Sequence, residues 1–189
     1  MTVQELFYGP INGGPFAGAL AVHLALSHTG SMIGPPSLIE KILNWPQGKT
    51  KILEVFGDLS SVPDTEMLGF CKALKDWGYN IMVFTNGQVW PSWFTLANWI
   101  TVNIGPDPWL AYHCHELHFL MSDADTPEPT LPPSETNNTR LYVTPGPAVT
   151  MDNVFNFIKK SKREWSILIE PSRFPQENML PKKKKEEKK

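Results

Sequence analysis

The chain has 189 residues, 41% of them hydrophobic and 19% charged, with a formal net charge of −2. A chain of this size buries about 70% of its unfolded surface, so one domain needs no disulfide or metal staple, and two cysteines, Cys71 and Cys114, are too few for a disulfide framework or an iron–sulfur cluster. No apolar run reaches the about 18 residues of a membrane helix, and MTVQELFYGP lacks the basic and apolar regions of a secretory leader; no membrane role is expected, and the expected location is the cytoplasm or an assembled particle.

The stretch from Glu5 to Pro36 organises the chain, and it reads as a glycine-rich turn, one buried strand and the loop leaving it. Ala19 to Leu26 is nearly all apolar, with His23 its one polar residue, and its length suits a central strand of a parallel sheet. Ligands of such sheets sit where loops leave the carboxyl ends of strands, which puts the expected chemistry at Ser27 to Pro36. Pro36 and Ser37 then start a short helix with Leu38, Ile42 and Trp45 on one side, and Lys51 to Phe56 forms the next strand. A second helix runs from about Asp64 to Trp77, because Met67, Phe70, Cys71 and Leu74 recur at helical spacing between Pro63 and the capping Gly78. Tyr79 to Phe84 is a strand ending in the turn Thr85-Asn86-Gly87.

VWPSWFTLANWITV places Trp90, Trp93 and Trp99 close together. A short helix from Pro91 to Asn98 laid across the sheet would use them as core; alternatively they form an aromatic platform for a purine or a protein partner. Strand Trp99 to Ile104 comes next, then His113-Cys114-His115-Glu116-Leu117-His118, the densest set of potential metal ligands. In an extended strand His113 and His115 point to one side and Cys114, Glu116 and His118 to the other, which leaves His113 and His115 as weak metal candidates. The two thiols sit in apolar surroundings and are expected to be buried and free. Residues 122–139 read as a proline-rich surface loop, Arg140 to Thr144 as a strand, Met151 to Arg163 as a helix and Trp165 to Glu170 as a last strand.

The last nine residues, PKKKKEEKK, hold six lysines and two glutamates, a net +4, which leaves −6 for the rest of a chain whose total is −2. The tail at 181–189 is read as disordered and solubilising, residues 1–180 as a single α/β domain, and the tail is the one part of the chain that could contact nucleic acid.

The order of these segments resembles 7-carboxy-7-deazaguanine synthase, a small radical S-adenosylmethionine enzyme of the deazapurine (queuosine) pathway. Glu5, Leu6, Phe7, Gly13, Gly18, Val22 and Leu24 fall on its opening pattern E-I-F-G-P-x-x-Q-G-E-G and the strand after it. Phe56-Gly57-Asp58-Leu59 stands where the family has G-G-E-P, Thr85-Asn86-Gly87 matches its T-N-G, Gly105-Pro106-Asp107 its S-P-K, Glu116-Leu117-His118 its E-L-K, and WSILIEPSRF its closing segment, with Glu170, Ser172 and Arg173 at the glutamine, histidine and lysine. The resemblance implies a partial (β/α) barrel of about six mainly parallel strands, radical S-adenosylmethionine-like, whereas the alternation of elements alone gives α/β.

The functional letters differ. Where the family carries C-x3-C-x2-C, the thiolates of a four-iron cluster, this chain has Ser27, Ser31 and Gly34, and Pro35 and Pro36 replace its magnesium-binding Asp-Thr. A serine hydroxyl is a hard, poorly ionised ligand and glycine offers none. The resemblance therefore implies a pseudoenzyme without cofactor: a structural or interaction protein, with a protein partner or as a homo-oligomer, in a larger assembly, a viral particle included. The alternative is a purine or S-adenosylmethionine binding protein of deazaguanine biosynthesis. On that alternative His23, at the family's substrate-binding arginine, would work with Gly57, Asp58 and Asn86. Hydrolysis by Asp58 with a histidine has only the support that such pairs find in any chain.

Overall fold

The computed structural model describes residues 1–11, 13–46, 48–104, 114–131 and 139–168. Among the described residues it is an α/β fold built on one nine-stranded sheet with three α-helices. The strands are β1 (Thr2–Pro10), β2 (Leu20–Leu26), β3 (Ser31–Met32), β4 (Lys51–Gly57), β5 (Tyr79–Thr85), β6 (Trp99–Ile104), β7 (Glu116–Met121), β8 (Arg140–Pro145) and β9 (Trp165–Ile167). Their order across the sheet is β3-β1-β2-β4-β5-β6-β7-β8-β9. From β2 to β9 every neighbouring pair is parallel, while β1 lies antiparallel to both β2 and β3.

The strand count exceeds the expected six. Seven strands form the parallel run, and the chain start adds two antiparallel ones: Thr2–Pro10 is a strand where a glycine-rich turn was expected, and Ser31–Met32 pairs with Val3 and Thr2 inside the expected loop. Among the described residues the sheet is not a closed barrel, since β3 and β9 are its two edges.

The parallel run keeps sequence order and never reverses. Right-handed crossovers that always step the same way put their helices on one face. The buried residues bear this out. Val22, Leu24, Leu53, Val55, Ile81, Val83, Val102, Leu117, Phe119 and Val143 alternate along their strands and share one core with Leu38 and Ile42 of α1 (Pro35–Leu43), Met67, Phe70 and Leu74 of α2 (Asp64–Asp76) and Val154 and Phe157 of α3 (Met151–Lys160). Thr150 caps α3 through a reciprocal capping box with Asn153, as the polar residue before an apolar stripe should.

The connection from β5 to β6 holds a 3-10 helix, Ser92–Leu96, inside the short helix expected from Pro91 to Asn98. Pro91 and the bulky ring pair Trp93 and Phe94, stacked edge to face at 4.7 Å, pack this short turn onto the core, and the Trp93 N–H donates to Asp64 Oδ1 at 3.4 Å. The proline-rich segment is only partly a surface loop: Leu131 is buried, and Glu128 Oε1 accepts from Ser161 Oγ at 2.6 Å and from the Trp165 indole at 3.1 Å. Residues 132–138 of it, the Gly105-Pro106-Asp107 match, His113, the closing Glu170, Ser172 and Arg173, and the Lys-rich tail lie outside the described residues.

Candidate functional site

Two regions hold the candidate residues. The first is a cleft of about 400 Å³ at the carboxyl ends of β4 and β5, lined by Gly57, Asp58, Leu59, Ser60, Thr85, Asn86, Gln88 and Val89. Three predicted residues, Gly57, Asp58 and Asn86, therefore come together, at the end of the sheet where ligands of parallel strands bind. Each has a local structural reason as well. Gly57 has φ +93, and a Cβ there would run into the Leu26 carbonyl, so the close approach of β2 demands glycine. Asp58 Oδ1 accepts from Ser60 Oγ at 2.6 Å and Ser60 N at 3.1 Å, and the Ser60 hydroxyl holds its carboxyl below the usual aspartate range. Asn86 Oδ1 accepts from Gln88 N at 3.1 Å.

The expected cluster loop is built differently. Ser27 Oγ pairs with Thr29 Oγ1 at 3.1 Å, Ser31 sits in β3 against Val3, and Gly34 precedes the first turn of α1. His28 of this loop meets a cleft residue, with Nε2 2.9 Å from Asp58 Oδ2 in an exposed pair that contributes little. An iron–sulfur cluster does not fit these residues. The two thiols are elsewhere: Cys71 is buried in α2 and Cys114 is buried ahead of β7, and burial pushes each up to about 12, so neither is a ready thiolate.

The second region is the face of the sheet opposite the helices. Phe7, His23, Glu54, Met82 and Trp99 occupy one register row across β1, β2, β4, β5 and β6. His23 is 5% exposed; its Nδ1 lies 2.6 Å from Glu54 Oε2, its Nε2 lies 3.1 Å from the Gly9 carbonyl, and its ring stacks on Phe7 at 4.6 Å. A carbonyl only accepts, so Nε2 carries a proton. Nδ1 faces a carboxylate, and the doubly protonated ring is the form this site favours. Burial works against that charge, and the Glu54 and Gly9 hydrogen bonds outweigh it, leaving the His23 pKa raised. His23 was expected as a ligand contact; both its nitrogens are taken by the protein.

The next rows carry a second pair. Glu116, 1% exposed, lies opposite Thr101 and Arg140, and His118, 7% exposed, lies opposite Asn103 and Tyr142. Glu116 Oε2 accepts from Thr101 Oγ1 at 3.3 Å and lies 3.4 Å from His118 Nε2. Burial would raise the Glu116 carboxyl; His118 first, then Trp99 and Thr101, more than offset it, so the group is held below the usual range. The Trp99 indole N–H lies close enough to act on that charge but makes no hydrogen bond of good geometry, and its nitrogen is buried. His118 meets Phe84 and Tyr142 edge to face at 5.8 and 5.3 Å.

The three tryptophans part company. Trp93 is core, 1% exposed, Trp90 packs edge to face on Phe94 at 4.9 Å, and Trp99 alone lies on the helix-free face, with the Arg140 guanidinium 5.5 Å and the His115 ring 4.7 Å from its ring. His115 is not a free ligand either. Its Nδ1 accepts from Ile100 N at 3.0 Å, its backbone N–H donates to Ile100 O at 2.9 Å, and burial lowers its pKa, in keeping with a neutral acceptor ring. Among the described residues no group of three His, Cys, Asp or Glu side chains could hold a metal ion.

Among the described residues, neither region assembles a nucleophile, a base and an oxyanion site within reach of one point. The cleft can hydrogen-bond a small polar molecule; the helix-free face locks strands together by charge. No family model matches the chain, and the search of curated proteins returns no significant match. No helix among the described residues is long and apolar enough to cross a membrane.

Proposed function

We propose that the chain is a non-catalytic structural or interaction protein on a deazaguanine synthase-like, radical S-adenosylmethionine-like partial barrel, working as a homo-oligomer or with a protein partner. One observation carries the reading. The segment where the resembled family holds its cluster is spent on structure: Ser31 in a strand, Gly34 at a helix start, Ser27 in a turn with Thr29. The unreversed strand order, with helices on one face, supports the barrel-like part of the reading. The test is affinity purification from the native source under anaerobic conditions, reading iron and co-purifying protein from one sample. No iron with a stable partner or a self-assembly is the expected result; stoichiometric iron with a cluster absorption band overturns it.

A second reading is favoured by the cleft, where polar groups at two strand ends converge: a protein that binds a purine or S-adenosylmethionine. It predicts a rise in melting temperature with millimolar ligand that Asp58→Ala and Asn86→Ala remove. No rise with either ligand discards it.

A further inference from the structure

We infer that the free edge of β1 is an interface with a second copy of this chain, paired antiparallel about a two-fold axis through Phe7. The inference rests on the reading of the chain as an interaction protein and names the surface that reading leaves open.

Strand β1 is paired with β2 on one side from Val3 to Pro10, with a bulge at Gln4. On the other, β3 covers Thr2 and Val3, and Gly30 lies against the Val3–Gln4 peptide. Among the described residues, Glu5 to Pro10 therefore present an unpaired edge, the kind of template that adds another strand. Such edges are normally blunted with lysine, and this one carries none; its one charged residue is Glu5.

The hydrogen-bonding phase of that edge can be worked out from its ends. Before the bulge between Val3 and Glu5, Ile33 N donates to Met1 O at 2.9 Å, toward β3, while Ser27 N donates to Thr2 O at 3.3 Å, toward β2. The bulge shifts the alternation by one residue. After it, Ile11 N donates to Ala19 O at 2.9 Å, so the odd positions face β2 and the even positions, Leu6, Tyr8 and Pro10, face outward. Proline at an outward position, where no ladder bond is needed from its nitrogen, agrees with this phase.

The open window runs from Glu5 to Pro10; Pro10 has no N–H to donate, so the stretch that can pair is Glu5 to Gly9, and its middle residue is Phe7. An antiparallel copy centred there sets Leu6 against Tyr8 of the second copy and Glu5 against Gly9. Every outward group meets an outward group, giving about four backbone hydrogen bonds between the Leu6 and Tyr8 pairs. The paired stretch ends at Glu5, one residue after the Val3–Gln4 peptide that Gly30 covers, so the two β3 segments lie outside the ladder. Charge agrees: each Glu5 faces a glycine, whereas a parallel pairing would set Glu5 beside Glu5. Phe7, 38% exposed and already stacked on His23, would meet its own copy across the axis in a non-hydrogen-bonded pair, where side chains approach most closely. The contact is isologous and closes on itself, as a two-fold dimer must.

The test uses the full chain and the thiol chemistry the fold provides. Both native cysteines are buried, so a cysteine placed on β1 is the accessible one. Phe7→Cys puts two thiols on the axis within disulfide reach, and Glu5→Cys puts them about 13 Å apart along the strands. The expected results are a dimer by sedimentation velocity, near-complete covalent dimer for Phe7→Cys under mild oxidation, little for Glu5→Cys, and dissociation to a folded monomer for Phe7→Lys. A monomeric native chain, a dimer that Phe7→Cys does not cross-link, or equal cross-linking by both cysteines overturns the interface. A monomer that still co-purifies with another protein from the native source overturns the self-pairing alone and leaves the interaction reading standing.

Discussion

The His23–Glu54 pair makes the sheet's stability depend on pH in a direction fixed by geometry. His23 has a raised pKa because Glu54 and the Gly9 carbonyl favour its charged form more than burial opposes it. A raised histidine adds stability that is fully present below the ordinary value of about 6.5 and is lost as pH climbs through the raised value. Replacing His23 with alanine removes two hydrogen bonds to a charged ring and a ring stack, and strands a carboxylate whose side chain is 19% exposed. Breaking a buried pair costs about 3–5 kcal/mol, and the partial exposure of Glu54 places this one near about 3 kcal/mol, a fall in Tm of about 6–12 °C for a domain of this size. Denaturant midpoints for native protein, His23→Ala and His23→Gln at pH 6, 7, 8 and 9 check this. The native protein should lose stability from pH 6 to 9 relative to His23→Gln. Parallel curves for the two proteins would refute the charged-pair assignment.

Glu116 has the opposite sign: its carboxyl is held low, so its contribution is present above the ordinary glutamate value and disappears as pH falls through the lower native one. Glu116→Ala, which also strands His118 and Thr101, should cost about 3 kcal/mol in urea unfolding at pH 7 and flatten the acid limb of the stability profile. Gly57→Ala forces a positive φ and a collision with the Leu26 carbonyl, and a loss of at least about 2 kcal/mol is expected by thermal denaturation. Cys71 and Cys114, both pushed up to about 12, should resist a thiol reagent at pH 8 in the native state and react fully in guanidinium; rapid native labelling of either would show that its site opens.

The parallel strands were legible because each is a short apolar run between turn signals, and the helices because their apolar residues recur at helical spacing. Strand β1 was not, and its bulge explains why: Val3 is buried ahead of the bulge and Leu6 and Tyr8 pack on the core after it, so the two-residue period that marks a strand is broken in the middle. Met32 and Ser31 form too short a strand to carry any period. Of the site residues, Gly57, Asp58 and Asn86 were found because strand ends were found, and their cleft is a consequence of the parallel order. The pairing of His23 with Glu54 did have a readable signal: each is the polar intruder in an apolar strand, and adjacent parallel strands set them side by side. Thr101 and Trp99 carried no such signal beside Glu116 and His118, because strand register across the connection from β6 to β7 is not written in either segment.

Strand order also limits where a ligand can sit. A doubly wound sheet reverses direction and opens a crevice at the reversal; here the run from β2 to β9 never reverses, which leaves the carboxyl ends of the strands and the helix-free face. That face is closed at one end by the chain's own turn, where Ile11 and Phe16 pack with Ala21, Ile52, Met82 and Trp99. Beyond the turn, packing gives way to charge: His23 joins β2 to β4 through Glu54, and Thr101 joins β6 to β7 through Glu116. Buried charge is a poor source of stability compared with apolar side chains of the same shape. It does penalise slippage, since a shift of one residue would turn each charge into the helix-side core. These pairs fix the register of parallel strands on a face that no helix among the described residues covers.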